Sequence, residues 1–211
     1  EMTNVPNFIS IYDNAISHEE CRDIVEEFES NKKLQTQGYL GNQKLRPDVK
    51  KSIDITYHLD EKIKTSSILR KSLNQHIKVY KEEYPSVNTL LQSWKCYDLY
   101  NVQKYEPKGG YFGTHCEAAG IKNSDRVLVW MFYLNTVPNG GTIFPTYNIT
   151  TDAVEGRLVL WPPYWTHGHR GQICDTHTKY IATGWCKLIS KSKAGRSIVC
   201  LLYTSPSPRD V

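Results

Sequence analysis

The chain has 211 residues, a length typical of a single domain with a sizeable core. Its composition, 39% hydrophobic and 23% charged, is that of a globular protein, and no apolar run is long enough to span a membrane. The net charge of +4 arises from basic residues spread along the chain, which argues against a nucleic-acid-binding protein.

The first part of the chain carries the predicted helices. Ser17 and Glu20 form a capping box, and the apolar residues that follow at helical spacing predict a helix from about residue 18 to 30. A second helix is predicted over residues 61–84, ended by Pro85. Residues 8–12 and 51–59 are predicted strands, and residues 31–50 are predicted to be a polar loop near the substrate.

From residue 93 onward the pattern changes to short β segments separated by turn residues. The predicted strands are 93–105 (one strand, or two broken near residue 101), 111–117, 126–134, 157–161, 167–171 and 179–188, with turns at 107–110 and 139–141. About eight antiparallel strands behind two helices predict a mainly β protein with flanking helices, a jelly roll with an N-terminal helical flank.

The domain organisation follows from this pattern. Residues 1–190 are predicted to form one domain, and residues 191–211 a tail outside the fold. From about residue 198 the tail resembles the translation of an adapter used in sequencing libraries, and our hypothesis is an assembly artefact. The alternative is a natural disordered tail.

The six cysteines show no CxxC pair and no spacing typical of a disulfide framework or a zinc site. We interpret them as reduced thiols, which are typical of cytoplasmic proteins. The sequence therefore predicts a cytoplasmic location.

His115 and Glu117 form a His-x-Glu motif just after a Gly-Gly turn. On a strand their side chains would point to the same face, as two ligands of a 2-His-1-carboxylate iron site require. The motif alone is weak, and the alternative is a surface histidine beside a solvated glutamate. Further along the chain, His167 and His169 are two candidates for the third ligand, predicted on the same face of a strand.

Three more residues support the interpretation of this motif as part of a binding site. Lys179 opens the last predicted strand, where its ammonium group could hold the far end of a dicarboxylate. Tyr105 and Tyr133 lie on strands flanking the His-x-Glu motif, and their hydroxyl groups could share hydrogen bonds with an acid.

Together these segments match a known pattern in order and spacing over about residues 92–188. The matching pieces are 103–105 with Pro107, 109–110, 115–117, 126–135, 140–145, 156–162, 169–171 and 179–185. This pattern resembles the prolyl 4-hydroxylase-like branch of the Fe(II)- and 2-oxoglutarate-dependent dioxygenases.

The resemblance implies a double-stranded β-helix fold and a set of site residues. His115, Glu117 and His169 would be the iron ligands. Lys179 would pair with the C5 carboxylate of 2-oxoglutarate, Tyr133 would assist it, and Tyr105 would line the cosubstrate pocket. The implied cofactors are Fe(II), 2-oxoglutarate and O2, with ascorbate as the reductant.

Two positions complicate the match. The family usually has aspartate where this chain has Glu117, whose side chain is one methylene longer. The alternative is a water molecule or a vacant position in place of the carboxylate ligand. His167 competes with His169, which is favoured by its spacing to Lys179 and by its His-Arg-Gly context.

The expected reaction is hydroxylation of an unactivated C–H bond, by analogy that of a peptidyl proline, with release of succinate and CO2. A peptide or protein is the expected substrate, a small molecule is an alternative, and neither nucleic acid nor membrane is an expected partner. Two other functions stay open: a metal hydrolase that uses two histidines and a glutamate, and a non-catalytic jelly-roll binding module that has lost iron.

Overall fold

The computed structural model describes residues 6–38 and 47–189 of the chain. Residues 39–46 of the predicted loop lie outside this described part. The predicted tail, which the adapter hypothesis concerns, also lies outside it. Across the described ranges no helix is both long and apolar enough to cross a membrane.

The described residues form three α-helices and twelve strands. The helices are α1 (His18–Ser30), α2 (Lys64–Glu83) and α3 (Ser86–Thr89). The strands are β1 (Ser10–Tyr12), β2 (Thr36–Gln37), β3 (Lys50–Lys51), β4 (Ile53–His58), β5 (Trp94–Tyr105), β6 (Gly110–Tyr111), β7 (Arg126–Tyr133), β8 (Val137–Phe144), β9 (Ile149–Ala153), β10 (Leu158–Trp161), β11 (Arg170–Gly171) and β12 (Lys179–Leu188).

Helix α1 begins where the capping box predicts. The Ser17 side chain accepts a hydrogen bond from the backbone N–H of Glu20 at 3.1 Å, and the Glu20 carboxylate accepts one from the Ser17 N–H at 2.8 Å. These two bonds satisfy donors that the first turn of a helix leaves free. The apolar stripe then buries Cys21, Ile24 and Phe28.

The strands form one large sheet and two small ones. The large sheet has seven strands in the order β1-β10-β7-β12-β5-β4-β2, and the pairs that are described are antiparallel. The small sheets have the orders β11-β8-β9 and β3-β6. The predicted fold class, a mainly β jelly roll with helices on its flank, is confirmed.

Strand β7 separates two hydrophobic cores. Leu128, Trp130 and Phe132 point toward the core that α1 and α2 cover. Val129, Met131 and Tyr133, which alternate with them, point toward the core under β8 and β9. The prediction of a strand buried on both faces is confirmed, and its alternation decides which side chains face the second core.

Strands β8 and β9 differ from the sequence prediction. The turn predicted at residues 139–141 is wrong, because these residues lie inside β8 beside an irregularity in its pairing with β9. Asn139 has a φ of 52°, and a Cβ at Gly141 would lie 2.0 Å from the Thr151 carbonyl oxygen. A left-handed residue followed by a close backbone approach is also what a turn requires, so the local signals are ambiguous.

Most of the other predicted strands are present with changed bounds, but only residue 111 of the predicted strand 111–117 and residues 170–171 of the predicted strand 167–171 lie in strands. Residues 93–105 form one strand, and the predicted segment 51–59 is divided between β3 and β4. Part of the predicted loop 31–50 is regular, since it contains a short 3-10 helix at Lys32–Leu34 and strand β2. Strand β9 was not among the predicted strands.

Candidate metal centre and cosubstrate pocket

His115, Glu117 and His169 converge at one point. One ligand atom from each side chain lies within 4.8 Å of the other two. The Glu117 Oε1 atom is 3.3 Å from Nε2 of His115 and 3.5 Å from Nε2 of His169. Two imidazole nitrogens and one carboxylate oxygen therefore face a common centre.

The backbone that carries the first two residues is not the strand that the sequence predicts. Of the predicted strand 111–117, only Tyr111 lies in a sheet, and Glu117 lies in a turn. The two histidines are instead joined by an isolated antiparallel bridge, with N–O distances of 3.0 and 2.9 Å. The Pro163 carbonyl accepts a bond from the Glu117 N–H at 2.9 Å and so fixes the turn.

Backbone carbonyls orient both imidazole rings. The Nδ1 atom of His115 lies 3.0 Å from the carbonyl oxygen of Gly113, and Nδ1 of His169 lies 3.0 Å from that of His167. A carbonyl oxygen only accepts, so each Nδ1 carries a proton, and Nε2 is the nitrogen of each ring that can ligate a metal ion. Both Nε2 atoms face Glu117, which fits a metal site.

His167 lies outside this centre. The prediction that His167 and His169 share one face of a strand is wrong, because His167 ends a 3-10 helix at Trp165–His167. Its Nε2 donates to the carbonyl oxygen of Asn7 at 2.7 Å. Burial lowers the pKa of His167, so this histidine is neutral and serves as a buried hydrogen-bond donor.

The second oxygen of Glu117 is bound by two donors. Oε2 accepts hydrogen bonds of 3.0 Å from the Arg126 guanidinium and 3.0 Å from the Trp185 indole N–H. The same guanidinium nitrogen also donates to the Glu117 carbonyl oxygen at 2.6 Å, and Arg126 stacks 3.8 Å from the Trp185 ring centroid. The sequence leaves open two roles for Arg126, an ion pair near the pocket or a structural role at the strand entry, and it favours packing for Trp185.

Glu117 is held in its charged form. Burial alone would raise the pKa of the carboxyl group, but the adjacent His115 and His169 side chains hold it well below its usual range. An ionised carboxylate is the form that binds a metal ion.

Lys179 lies in the same pocket as this centre. The pocket is lined by residues of β5, β7, β8 and β12, including Tyr105, Met131, Tyr133, Thr142 and Ile181. The Lys179 Nζ donates to the Gly140 carbonyl oxygen at 2.9 Å and lies 5.2 Å from the Tyr105 ring centroid. Among the described residues no carboxylate pairs with this buried ammonium group, and burial lowers its pKa to about 8.

Tyr105 belongs to a buried polar network that sequence reasoning missed. Its hydroxyl donates to Gln103 at 2.8 Å, and the Gln103 amide donates to Asp54 at 3.0 Å. Lys50 completes the network with a 2.6 Å contact to Asp54. Lys50 and Asp54 stand apart from Tyr105 in the sequence, so only the pairing of β4 with β5 brings them together.

Tyr133 lies deep in the pocket between two threonines. Its hydroxyl is 2.7 Å from Oγ1 of Thr142 and 3.0 Å from Oγ1 of Thr151. Burial raises its pKa to about 12, so the phenol stays neutral and can donate. The threonines come from β8 and β9, and β9 is the strand that the sequence prediction missed.

A comparison with known families matches the segment that carries these residues. Residues 100–187 match the 2OG-Fe(II) oxygenase superfamily. The expected resemblance to this superfamily is confirmed over that range. The matched range contains His115, Glu117, His169 and Lys179. The predicted enzyme class, a 2-oxoglutarate-dependent dioxygenase, is confirmed. No curated protein matches the chain by sequence.

Solved prolyl hydroxylases share the fold of this oxygenase. A viral collagen prolyl hydroxylase from Paramecium Bursaria Chlorella virus-1 superposes with a TM-score of 0.65 at 16% identity, covering 86% of this chain and 97% of its own. A Trichoplax adhaerens prolyl hydroxylase, solved with a hypoxia inducible factor peptide fragment, gives 0.66 at 18%, covering 86% and 84%. A Pseudomonas putida prolyl-4-hydroxylase gives 0.65 at 12%, covering 87% and 94%. At these identities the likeness establishes the fold.

The two candidate histidines are expected to differ in metal binding. We expect His169→Ala to weaken Mn(II) binding by at least about tenfold, because changes to groups behind the ligands already cost that much. His167→Ala should retain the metal affinity, since its imidazole is bonded to Asn7. Isothermal titration calorimetry with Mn(II) measures both, and circular dichroism checks that each variant is folded. Loss of affinity only in His167→Ala would reverse the ligand assignment.

Proposed function

We propose that this oxygenase hydroxylates an unactivated C–H bond of a peptidyl proline and converts 2-oxoglutarate and O2 to succinate and CO2. In this proposal His115, Glu117 and His169 hold Fe(II), and Lys179 binds the cosubstrate. The observation that carries the proposal is one pocket that contains both the two inward-facing Nε2 atoms and a buried ammonium group.

The residues of the pocket have separate tasks in this reaction. Bound Fe(II) supplies the redox chemistry that couples decarboxylation of the cosubstrate to hydroxylation of the substrate. Lys179 neutralises the C5 carboxylate of 2-oxoglutarate, and the Tyr133 hydroxyl donates a hydrogen bond to the same group. Tyr105 is held by Gln103 and forms the wall beside Lys179.

The apolar part of the pocket keeps water away from the reacting groups. Met131, Trp161 and Ile181 line it, and each of these residues is at most 7% exposed. Excluding water strengthens the ion pair between Lys179 and the cosubstrate, because the charges interact across a medium of lower polarity.

A peptide substrate is supported by the relatives and by the protein surface. The Trichoplax adhaerens relative was solved with a peptide fragment bound. In this chain Phe112 is 37% exposed and follows Tyr111, whose ring stacks on His115. Trp165 is 83% exposed and lies in the segment that leads into His169. Exposed aromatic side chains near the site are suited to contacts with a peptide, and a small-molecule substrate is the alternative.

Two further parts of the proposal concern the conditions of the reaction. Ascorbate is proposed as the reductant that returns the iron to Fe(II). The cytoplasm is proposed as the location, because five cysteines in the described part of the chain are free thiols.

The alternative functions make different use of the pocket. A metal hydrolase with the same three ligands has no need of a buried ammonium group or of Tyr133 and its threonines. A binding module without iron has no need for two imidazole Nε2 atoms to face a buried carboxylate. Both observations therefore favour the oxygenase.

The first test measures turnover. The protein is incubated with Fe(II), 2-oxoglutarate, ascorbate and a proline-rich peptide, and succinate and peptide mass are followed. We expect succinate formation that rises when the peptide is present, together with a gain of one oxygen atom on proline. His115→Ala is the matched inactive control. A protein that neither binds nor decarboxylates 2-oxoglutarate with any peptide or small molecule tested would contradict the proposal.

Lys179 generates a second expectation. Because only the protonated ammonium attracts the C5 carboxylate, we expect 2-oxoglutarate affinity to fall as the pH rises above about 8, the pKa to which burial lowers this side chain. The fall should approach about tenfold per pH unit. Calorimetry between pH 7 and 9, with Mn(II) bound, measures the affinity.

Variants of two lysines on β12 complete this test. Lys179→Ala should weaken 2-oxoglutarate binding at every pH and remove the pH dependence, while leaving Mn(II) affinity largely unchanged. Lys187→Ala is the matched control, because Lys187 pairs with Asp125 outside the pocket. Unchanged 2-oxoglutarate affinity in Lys179→Ala would exclude the assigned role.

A further inference from the structure

Two thiols lie opposite each other on β5 and β12, toward the end of this strand pair that is far from Lys179 and Tyr105. Cys96 of β5 and Cys186 of β12 are direct partners in the sheet register, and their Sγ atoms are 3.6 Å apart. Residues directly opposed in an antiparallel pair have Cα atoms about 4.5–5.5 Å apart, within the range that a disulfide bridges. Side-chain rotation is therefore sufficient to bring the sulfur atoms to bonding distance.

The two thiols differ in access. Cys186 is fully buried, whereas Cys96 is half-buried and lines a second cavity of about 520 Å³ between α2 and β5. This cavity is separate from the metal centre and shares no lining residue with its pocket. Its basic side chains outnumber its acidic ones: Arg70, Lys78, Lys81 and Lys95 against Asp60 and Asp98.

The surroundings of Cys96 favour its thiolate. The contact with Cys186 and the nearby Lys81 ammonium lower the pKa of Cys96, whereas burial raises the pKa of Cys186. A reactive cysteine is typically an accessible thiolate in a basic environment with a resolving thiol beside it.

We propose that Cys96 and Cys186 form a reversible intramolecular disulfide, and that Cys96 is the entry point for a small anionic disulfide compound bound in the basic cavity. The Cys96 thiolate attacks one sulfur of that compound, forms a mixed disulfide and expels a thiolate. The Cys186 thiol loses its proton, attacks the Cys96 sulfur and expels the second thiolate. Two protein thiols are oxidised, one disulfide compound is reduced to two thiols, and the two protein protons end on those thiols.

The proposed Cys96–Cys186 disulfide does not depend on the proposed enzymatic function. Intramolecular disulfides in a reducing compartment are usually transient, so the pair is reduced at rest and oxidised when the disulfide compound accumulates. Cys174, also in the described residues, is a useful comparison because its partners Thr176 and His177 offer no second sulfur.

Oxidised glutathione, which is anionic, is the probe for this site. The full chain is equilibrated with it, free thiols are alkylated, and peptides are mapped by mass spectrometry without reduction. We expect a Cys96–Cys186 linked peptide that reduced glutathione removes. In Cys186→Ser the glutathione adduct should persist on Cys96, and in Cys96→Ser Cys186 should stay unmodified. Cys174→Ser is the control and should leave the linked peptide unchanged.

Charge in the cavity is tested separately. Lys81→Gln should slow the reaction with oxidised glutathione several-fold more than the reaction with a neutral disulfide such as hydroxyethyl disulfide. Equal slowing with both compounds would overturn the role of the basic cavity. Complete alkylation of Cys96 and Cys186 after equilibration with oxidised glutathione would overturn the disulfide itself.

A second, independent observation concerns Glu117. Its Oε2 atom is bound by the Arg126 guanidinium and the Trp185 indole, while Oε1 faces the two histidines. We infer that Arg126 and Trp185 are positioning residues that hold Oε2 away from the metal, so that Oε1 alone ligates it. This inference rests on the proposed function, because it takes the metal to be bound by His115, Glu117 and His169.

The length of the glutamate side chain explains why two donors are needed. An extra methylene adds a rotatable bond, so an unrestrained glutamate could turn either oxygen, or both, toward the metal. The Arg126 guanidinium bonds both the Glu117 carbonyl and its carboxylate, which fixes the two ends of the side chain relative to each other. Trp185 adds a second bond to the same carboxylate oxygen from another strand.

Trp185→Phe tests this role because it removes the indole N–H and keeps an aromatic ring against Arg126. We expect Mn(II) affinity to fall about tenfold, and the d–d spectrum of the Co(II)-substituted protein to shift as Oε2 is released. In a Glu117→Asp background the same substitution should change neither, because the shorter carboxylate no longer reaches the indole. A merely structural role would lower the melting temperature and leave the Co(II) spectrum unchanged.

The outcomes distinguish the proposed function from the positioning role. A wild-type protein that binds neither Mn(II) nor Co(II) would contradict the proposed function. Metal binding with the same affinity and spectrum in Trp185→Phe would contradict the positioning role alone. An equal effect of Trp185→Phe in the native and the Glu117→Asp backgrounds would likewise show that the indole does not act through the glutamate.

Discussion

The register of β12 between β5 and β7 is the constraint on which the site depends. Alternate residues of a strand share a face, so Lys179, Ile181 and Thr183 line the pocket, and Trp185 continues the row as far as Glu117. A slip of one residue would turn this row into the helix-covered core. Pairing with both neighbours, including Lys179 opposite Tyr105, holds the register.

The proposed metal ligands stand on irregular backbone, so their position needs a different explanation. His115 and His169 are joined by two backbone hydrogen bonds, and Glu117 is held by a turn bonded to Pro163. Both rings are then oriented by carbonyls within their own segments. The regular sheet carries Lys179, which is proposed to bind the cosubstrate, and the loops carry the proposed metal ligands. This division is common in enzymes whose rigid scaffold positions functional loops.

Periodicity predicted the parts of the fold that depend on burial. Helix α1 and strand β7 follow from an apolar stripe and an uninterrupted apolar run, because each faces a core. The His-x-Glu pair was predicted to converge for an incorrect reason, a shared strand face. In the structure a long-range bridge joins His115 to His169, and a turn bonded to Pro163 places Glu117 beside them. Strand β9 was missed because its sequence, Ile149–Ala153, is mostly polar and two of its five side chains are exposed.

The contacts of Glu117 are the part that no local pattern could predict. Arg126 lies at the entry to β7 and Trp185 near the end of β12, and only the pairing of those strands brings both side chains to the same carboxylate. Where aspartate would reach the metal with few rotatable bonds, a longer side chain needs fixed donors to select one oxygen. Whether glutamate can take the place of the usual aspartate therefore depends on Arg126 and Trp185, the groups that bind its second oxygen. These groups influence the ligand geometry as much as the length of the side chain does.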